Sequence, residues 1–343
     1  MNDKPLVSVA VPCLNRVQLL APTLKSILSQ DYEHVECVVV DGGSNDGTVD
    51  VLRSYNRKIR WLSEPDNGPP DAINKGWRMS SGEVLTWLNA DDLWAPGAVR
   101  TVVSYMQRHP EVDVVYGDCG LIDGSGSLID TIRVRDWDLK YAVEHCDHVI
   151  YQPASFIRRS ILERVGWLWP KLCHDHELWL RISLECGRIE RMPAVLAYAR
   201  HHPDNLGYQP NLVIPRKLEI TKKFFAAARL PSGLKEIEKR ALSNTYLRGI
   251  DYFMLGRFRP SRDLCRCLRL VSKAFNADRT NVLGVVRSCL YILDGLLAVV
   301  CRRWLPREIY DRLRAAKRRF RKKLRFEHPS PKARAAECKA RPF

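Results

Sequence analysis

The sequence predicts an α/β fold: a mixed, mostly parallel sheet with helices on both faces, followed by an α-helical C-terminal region. Three observations predict it. Short apolar runs alternate with stretches of helical periodicity through the first two hundred residues. Acidic residues stand where several of those runs end, which is where open sheets of this class bind ligands. After Pro210 the alternation stops and helical spacing takes over.

In chain order, residues 6–11 read as a short buried strand. Residues 19–30 carry Leu20, Leu24, Ile27 and Leu28 at helical spacing. Residues 36–40 form a second strand ending at Asp41, and the turn-rich GGSNDGT leads into a helix over 49–55. Residues 59–62 are a third strand, 71–79 a helix, and 83–88 a fourth strand. That strand ends in TWLNADDLWAP (86–96), which sets two carboxylates side by side at the mouth of a core. A helix is expected from about 95–96 and loops around 117–150. Asp175 is expected to open a further helix, with Leu178 and Ile182 as an i, i+4 pair and Trp179 extending its apolar face.

Residues 212–275 read as helical throughout, with Leu218, Phe224, Phe225, Ile237, Leu242, Tyr246 and Phe253 inside. Residues 282–300 are apolar but interrupted by Arg287 and Asp294, too short a clean run to span a bilayer. The net charge is +16, and it is uneven: residues 301–343 hold 16 Lys and Arg against four acids, so +12 belongs to that tail. Within it, Leu305, Ile309, Leu313, Ala316, Phe320 and Leu324 recur at helical spacing among basic residues, the pattern of a helix lying on an anionic membrane surface. A solvated tail or a nucleic-acid arm are the alternatives; the ordered stripe beginning at Trp304 favours the membrane, and no nucleic-acid partner is expected. The division expected is 1–210, 211–280 and 281–343.

The eleven cysteines form no CxxC pair, and the opening MNDKPLVSVAVP has neither the charged nor the apolar region of a signal peptide. Reduced thiols in the cytoplasm, at the cytoplasmic face of a membrane, are therefore expected.

Asp91 and Asp92 next to an apolar core would repel each other, and one would take up a proton. A hard divalent cation removes that conflict, since Mg²⁺ or Mn²⁺ is suited by one or two carboxylates plus phosphate oxygens. A helix cap is the competing reading of the pair.

The pair is one part of an ordered set: VSVAVPCLN (7–15), ECVVVDGGSNDGT (36–48), SEPDNGPPDAINKG (63–76), SGEVLTWLNADD (81–92) and HDHELWLR (174–181). Over about residues 5–205 the set resembles family 2 of the inverting glycosyltransferases, which has the GT-A fold. The resemblance implies a nucleotide-diphosphate sugar donor, Mg²⁺ or Mn²⁺, and a hydroxyl acceptor; the basic tail, placing the chain at a membrane, then points to a saccharide or lipid-linked saccharide acceptor in cell-surface polysaccharide assembly. It puts Pro12 and Asn15 on the loop covering the base, and Asp41 at the base or ribose. Asp66 falls on the turn before the DAINKG helix, and Asn74 and Lys75 lie near the donor. It sets Asp91 at ribose or metal, Asp92 as the principal metal ligand, and Asp175 as catalytic base. Tyr198-Ala199-Arg200-His201-His202 resembles the family's closing segment, with Arg200 on the diphosphate or His202 on the metal; an exposed polar loop is the alternative.

The chain departs from the family pattern at Gly42, where many members carry a second acid, at Asn89, and at His174. Inverting transfer independently requires a carboxylate on the acceptor side. Asp175 fits it, favoured as an anion by its helix N-terminus and by His174 and His176. Glu177 is the rival, and a helix cap is the bland alternative. Two other functions remain: a catalytically silent membrane scaffold, and a nucleotidyltransferase, for which PCLNRVQ lacks the glycines. A dinucleotide oxidoreductase is disfavoured because the GxGxxG order is missing.

Overall fold

The computed structural model describes residues 4–145, 149–169, 175–202, 205, 209–255 and 260–304. Strands β1 (Val7–Cys13), β2 (Val35–Asp41), β3 (Arg60–Ser63) and β4 (Val84–Trp87) run parallel to one another in the order β3-β2-β1-β4. Helices α1 (Leu20–Leu28), α2 (Thr48–Ser54) and α3 (Pro69–Met79) connect them. The sheet continues through β8 (Ser155–Arg158), β6 (Val114–Ile122), β9 (Ile189–Arg200) and β5 (Leu93–Trp94), with β7 (Leu128–Ile132) paired to β6. Strands β5, β7 and β8 run against the other six.

Strand alternation builds a core on each face. Val7, Val9 and Val11 of β1 point to one side, where Leu20, Leu24 and Ile27 of α1 and Val99 and Val102 of α4 (Ala98–Arg108) cover them. Ala10, with Leu85 and Trp87 of β4, points to the other. There it meets Trp77 of α3, Ile161 of α6 (Arg159–Val165) and Trp179 of α7 (Asp175–Leu184). Both faces are therefore helix-covered, as the periodicity predicted.

Three expectations needed correction here. The stretch expected as loop around 117–150 begins inside the nine-residue β6, nearly all buried, and continues into β7 and α5 (Leu139–His145). Its glycines suggest a turn, but Gly120 lies so near β9 that a Cβ would sit 2.4 Å from the Tyr198 ring. The helix expected from 95–96 begins at Ala98 instead, because Leu93–Trp94 first pairs with Tyr198 and Ala197 of β9.

The helical region is divided into α8 (Pro210–Phe225), α9 (Glu238–Leu255), α10 (Pro260–Ala277) and α11 (Val282–Trp304), rather than one run over 212–275. The break after Phe225 follows from Pro231 and from Gly233, whose φ is +78°. Phe224 and Phe225 are buried with Ala142, Val143 and Leu180, which ties α8 to α5 and α7. Val213, Leu247, Phe253, Cys267 and Ile292 form a further cluster, so α11 packs with α8, α9 and α10. Among the described residues no helix is long and apolar enough to cross a membrane. The basic run from Leu305, expected on a membrane surface, lies outside the described residues, as does His174.

Candidate active site

Because β1, β2, β4, β6 and β9 share one direction, their carboxyl ends meet along one rim of the sheet. The rim carries the loops after Cys13 and Asp41, the Asn89–Asp92 turn after β4, and the end of β9, where Arg200 lies opposite Ile122 of β6.

The two adjacent carboxylates face different surroundings. Asp91 Oδ2 lies 2.8 Å from His202 Nε2 and 3.7 Å from Arg16 Nε. Asp92 is turned inward: one oxygen accepts the Arg200 N–H at 2.9 Å, the other the Asn89 side-chain amide at 2.9 Å. Neither caps α4, whose N-cap residue is Gly97 with no side-chain hydrogen bond. Burial, with the Asp91 charge second, pushes the Asp92 carboxyl up to about 7.

The sign of the resulting pH dependence follows by linkage. The folded state keeps this proton up to about 7, while a free aspartate side chain gives it up at 3.8. The stability Asp92 contributes is complete below the lower value and is lost as pH rises through the higher one. Without divalent cation the fold should be less stable at pH 8 than at pH 5, and Asp92→Asn should flatten the slope. Urea unfolding of both proteins at the two pH values reads this directly.

Arg200, expected on a diphosphate, is buried. Its guanidinium donates to the carbonyls of Asp91, Asp123 and Gly124, at 2.9, 2.9 and 3.0 Å. It braces the β4 turn against the β6–β7 turn. A half-buried cation faces the rim in Arg16, which the sequence reading passed over: it is the one basic residue of PCLNRVQ, a stretch weighed only for phosphate-loop glycines. Asn205 supports the same corner, accepting the His202 N–H at 2.7 Å and donating to the Arg200 carbonyl.

The first and second loops are stitched together. Pro12 lies within β1, in register with Val40. Asn15, with φ of 52°, accepts the Asn45 N–H, and its own N–H goes to Ser44 Oγ. The fully buried Asp41 carboxylate accepts from Ser63 Oγ, from the N–H groups of Gly43 and Ser44, and from Ser44 Oγ. Its acceptor positions are engaged by its own loop and by the end of β3. Asp66 stands directly over Gly42: a Cβ there would come within 2.8 Å of its carboxylate, so the side chain missing at 42 makes room for Asp66. Asp66 also accepts the Gly68 N–H at 2.7 Å.

On α3, Lys75 pairs with Glu64 at 2.8 Å and Asp71 at 3.5 Å. Asn74, expected near the donor, is instead a buried clamp. Its amide donates to the Leu168 carbonyl at 2.7 Å and accepts the Leu168 N–H at 3.1 Å. Asn74→Ala strands both backbone groups and should cost about 2–3 kcal/mol in chemical denaturation.

Asp175 is the first residue of α7 and is half-buried. One turn on, Trp179 stacks on Trp87 at 6.1 Å, which brings α7 against the strand that leads into Asp91. Glu177 is committed elsewhere: both its oxygens bind Arg181, at 2.7 and 3.0 Å. Arg181 in turn donates to the carbonyls of Val165, Gly166 and Trp167, holding that segment to α7.

The donor set accommodates a divalent cation only in part. Among the described residues no three His, Cys, Asp or Glu converge as a metal site. Asp91 and His202, 2.8 Å apart, would supply two ligands at most, and phosphate oxygens would have to provide the rest.

Residues 8–166 match the profile described as Glycosyl transferase family 2. An uncharacterised glycosyltransferase of Mycobacterium tuberculosis is 30% identical over 265 residues, covering 74% of this chain and 94% of that protein. One of Rickettsia typhi is 30% identical over 193 residues, covering 52% of this chain and 60% of its own length. The match to a Rickettsia felis glycosyltransferase spans 22% of that protein. The chain thus covers less than two thirds of these Rickettsia relatives. In fold it is similar to residues 1–349 of Staphylococcus aureus TarS, solved with UDP-GlcNAc, with TM-score 0.59, 16% identity, and 87% and 91% of the two chains covered. The mannosyltransferase PcManGT of Pyrobaculum calidifontis, solved with GDP-Man and Mn²⁺, gives TM-score 0.51 at 21% identity, covering 84% and 87%.

Proposed function

From the premise that the chain belongs to glycosyl transferase family 2, we propose that it moves a sugar, with inversion, from a nucleotide-diphosphate sugar to an acceptor hydroxyl. The reading rests on one observation: Asp91, His202 and Arg16 meet on the rim of the parallel sheet, a carboxylate and an imidazole beside a half-buried guanidinium. That is a grouping suited to a diphosphate and its counter-ion. Two solved proteins of similar fold hold UDP-GlcNAc, and GDP-Man with Mn²⁺, which supports a donor of that class.

Asp91 and His202 would hold Mg²⁺ or Mn²⁺, with Asp92 the inner carboxylate that keeps the Asn89–Asp92 turn in place. A cation bound there would neutralise charge on the departing diphosphate. Arg16 faces the same charge from the first loop. Asn15 shapes that loop over the base, and Asp66, in the space Gly42 leaves, takes the polar edge of base or ribose in place of the engaged Asp41. Asp175 accepts the acceptor's hydroxyl proton as its oxygen bonds to the anomeric carbon. The bond from that carbon to the diphosphate oxygen breaks, and the nucleoside diphosphate leaves with the electron pair.

The acceptor we assign is a lipid-linked saccharide of cell-surface polysaccharide assembly, presented at the cytoplasmic face of a membrane. The basic run 301–326 supports this assignment, with twelve Lys and Arg against two acids. We keep residues 1–210 as the transfer unit, 211–280 as a helical region and 281–343 as the membrane-associating part.

Thermal-shift screening of nucleotide sugars with and without Mn²⁺ tests the reading. At least one donor should raise the melting temperature only when the cation is present. The rise should be larger at pH 8 than at pH 6, because Asp92 loses its proton near 7 and the rim then carries two anions. Absence of any cation-dependent binding would favour the silent scaffold.

A further inference from the structure

We propose that the outward face of α11 is the apolar half of a membrane-docking surface, and that the surface it fits is an anionic lipid bilayer. Leu283, Val286, Leu290 and Leu293 are 86%, 48%, 60% and 54% exposed. Their spacing alternates three and four residues, so they form one stripe along the helix. The opposite face is already used: Ile292 is buried, and Val285 packs with it against α8, α9 and α10. The stripe is therefore surplus to the packing that holds α11 in place. Exposed leucines on soluble proteins are normally scattered singly, and a continuous row marks a binding surface.

What covers the row is decided by the chain around it. Arg287, also exposed, lies on its flank, where a long basic side chain can bury its stem and keep its charge at the headgroup level. From Arg302 to Arg325 the sequence then carries twelve Lys and Arg against two acids, with Trp304 where the basic run begins. A protein partner for the apolar stripe alone would not need this charge. A layer of anionic headgroups over acyl chains matches both parts. With Val285 and Ile292 packed against the neighbouring helices and the stripe running along the opposite face, α11 would meet such a layer side-on.

The inference deepens the membrane part of the proposed function and depends on it for the basic run, whereas the stripe is an observation of its own. The test uses full-length protein and flotation with phosphatidylcholine vesicles, with and without phosphatidylglycerol, at low and high salt. Wild type should float with the anionic vesicles only. Leu283→Ser/Leu290→Ser should lower partitioning roughly tenfold or more, leaving residual binding that salt abolishes. Arg318→Gln/Arg319→Gln/Arg321→Gln/Lys322→Gln should weaken binding and leave a salt-resistant remainder. Both substituted leucines are exposed, so circular-dichroism melts should match wild type.

If the serine pair partitions like wild type, the stripe is not in the membrane and the inference falls, while the basic run stands. If wild type binds no anionic vesicle, both fall. If the serine pair instead dissociates a dimer in sedimentation and leaves flotation unchanged, a second copy covers the stripe and the inference is overturned. Cation-dependent protection by nucleotide sugars, measured on the same samples, should be unchanged by every substitution. Its absence in wild type would remove the transferase reading without touching the vesicle result.

Discussion

Asp91→Ala is expected to eliminate cation-dependent donor binding and to lower sugar transfer by about a thousandfold or more, the scale of losing electrostatic stabilisation at a charged leaving group. The residue is singled out by geometry. Its carboxylate faces His202 and Arg16, whereas Asp92 faces the backbone of Arg200 and the amide of Asn89. Removing Asp91 also relieves the repulsion that helps keep Asp92 protonated, so the variant should fold at least as well as wild type. Lost activity with an undiminished melting temperature is the expected pattern. His202→Gln should show a smaller loss in the same direction. Near-wild-type transfer by Asp91→Ala at saturating Mn²⁺ would end the assignment.

Asp175→Asn should depress the chemical step by about a hundredfold to ten-thousandfold while leaving donor affinity unchanged. An amide at this position keeps the size of the carboxylate but cannot accept the hydroxyl proton. The contrast is Glu177→Gln, two residues along the same helix. Glu177 is buried against Arg181, and breaking that pair should cost roughly 3–5 kcal/mol of stability. Kinetics at permissive temperature and denaturant titration of both variants separate the two roles. A pH–rate profile for Asp175→Asn that keeps the acidic limb of the wild type would show that another group is the base.

The first four strands and three helices were readable because each element's signal is local. Val7, Val9 and Val11 alternate with Ser8 and Ala10, and Leu20, Leu24 and Ile27 lie one turn apart. β6 was not readable, because its glycines resemble a loop until β9 is laid against it. The family resemblance puts Asn74 and Arg200 at the donor. Their hydrogen bonds to Leu168, Asp91, Asp123 and Gly124 make them braces, and nothing in the local sequence distinguishes a brace from a ligand contact. Arg16 was overlooked for the converse reason, since its importance comes from its distance to Asp91 and not from its neighbours in the chain.

The sequence by itself determined the alternating α/β plan, the acidic strand ends, the helix that Asp175 opens and the concentration of charge in the tail. Each is a matter of periodicity or composition within a few residues. Tertiary structure alone decided which of two adjacent carboxylates looks outward, because Arg200 arrives from 108 residues away to claim Asp92. It alone decided that Glu177 is neutralised by Arg181, and that one face of α11 is left uncovered. Burial and hydrogen-bond partners belong to the packed chain, and side-chain chemistry acquires its direction only there.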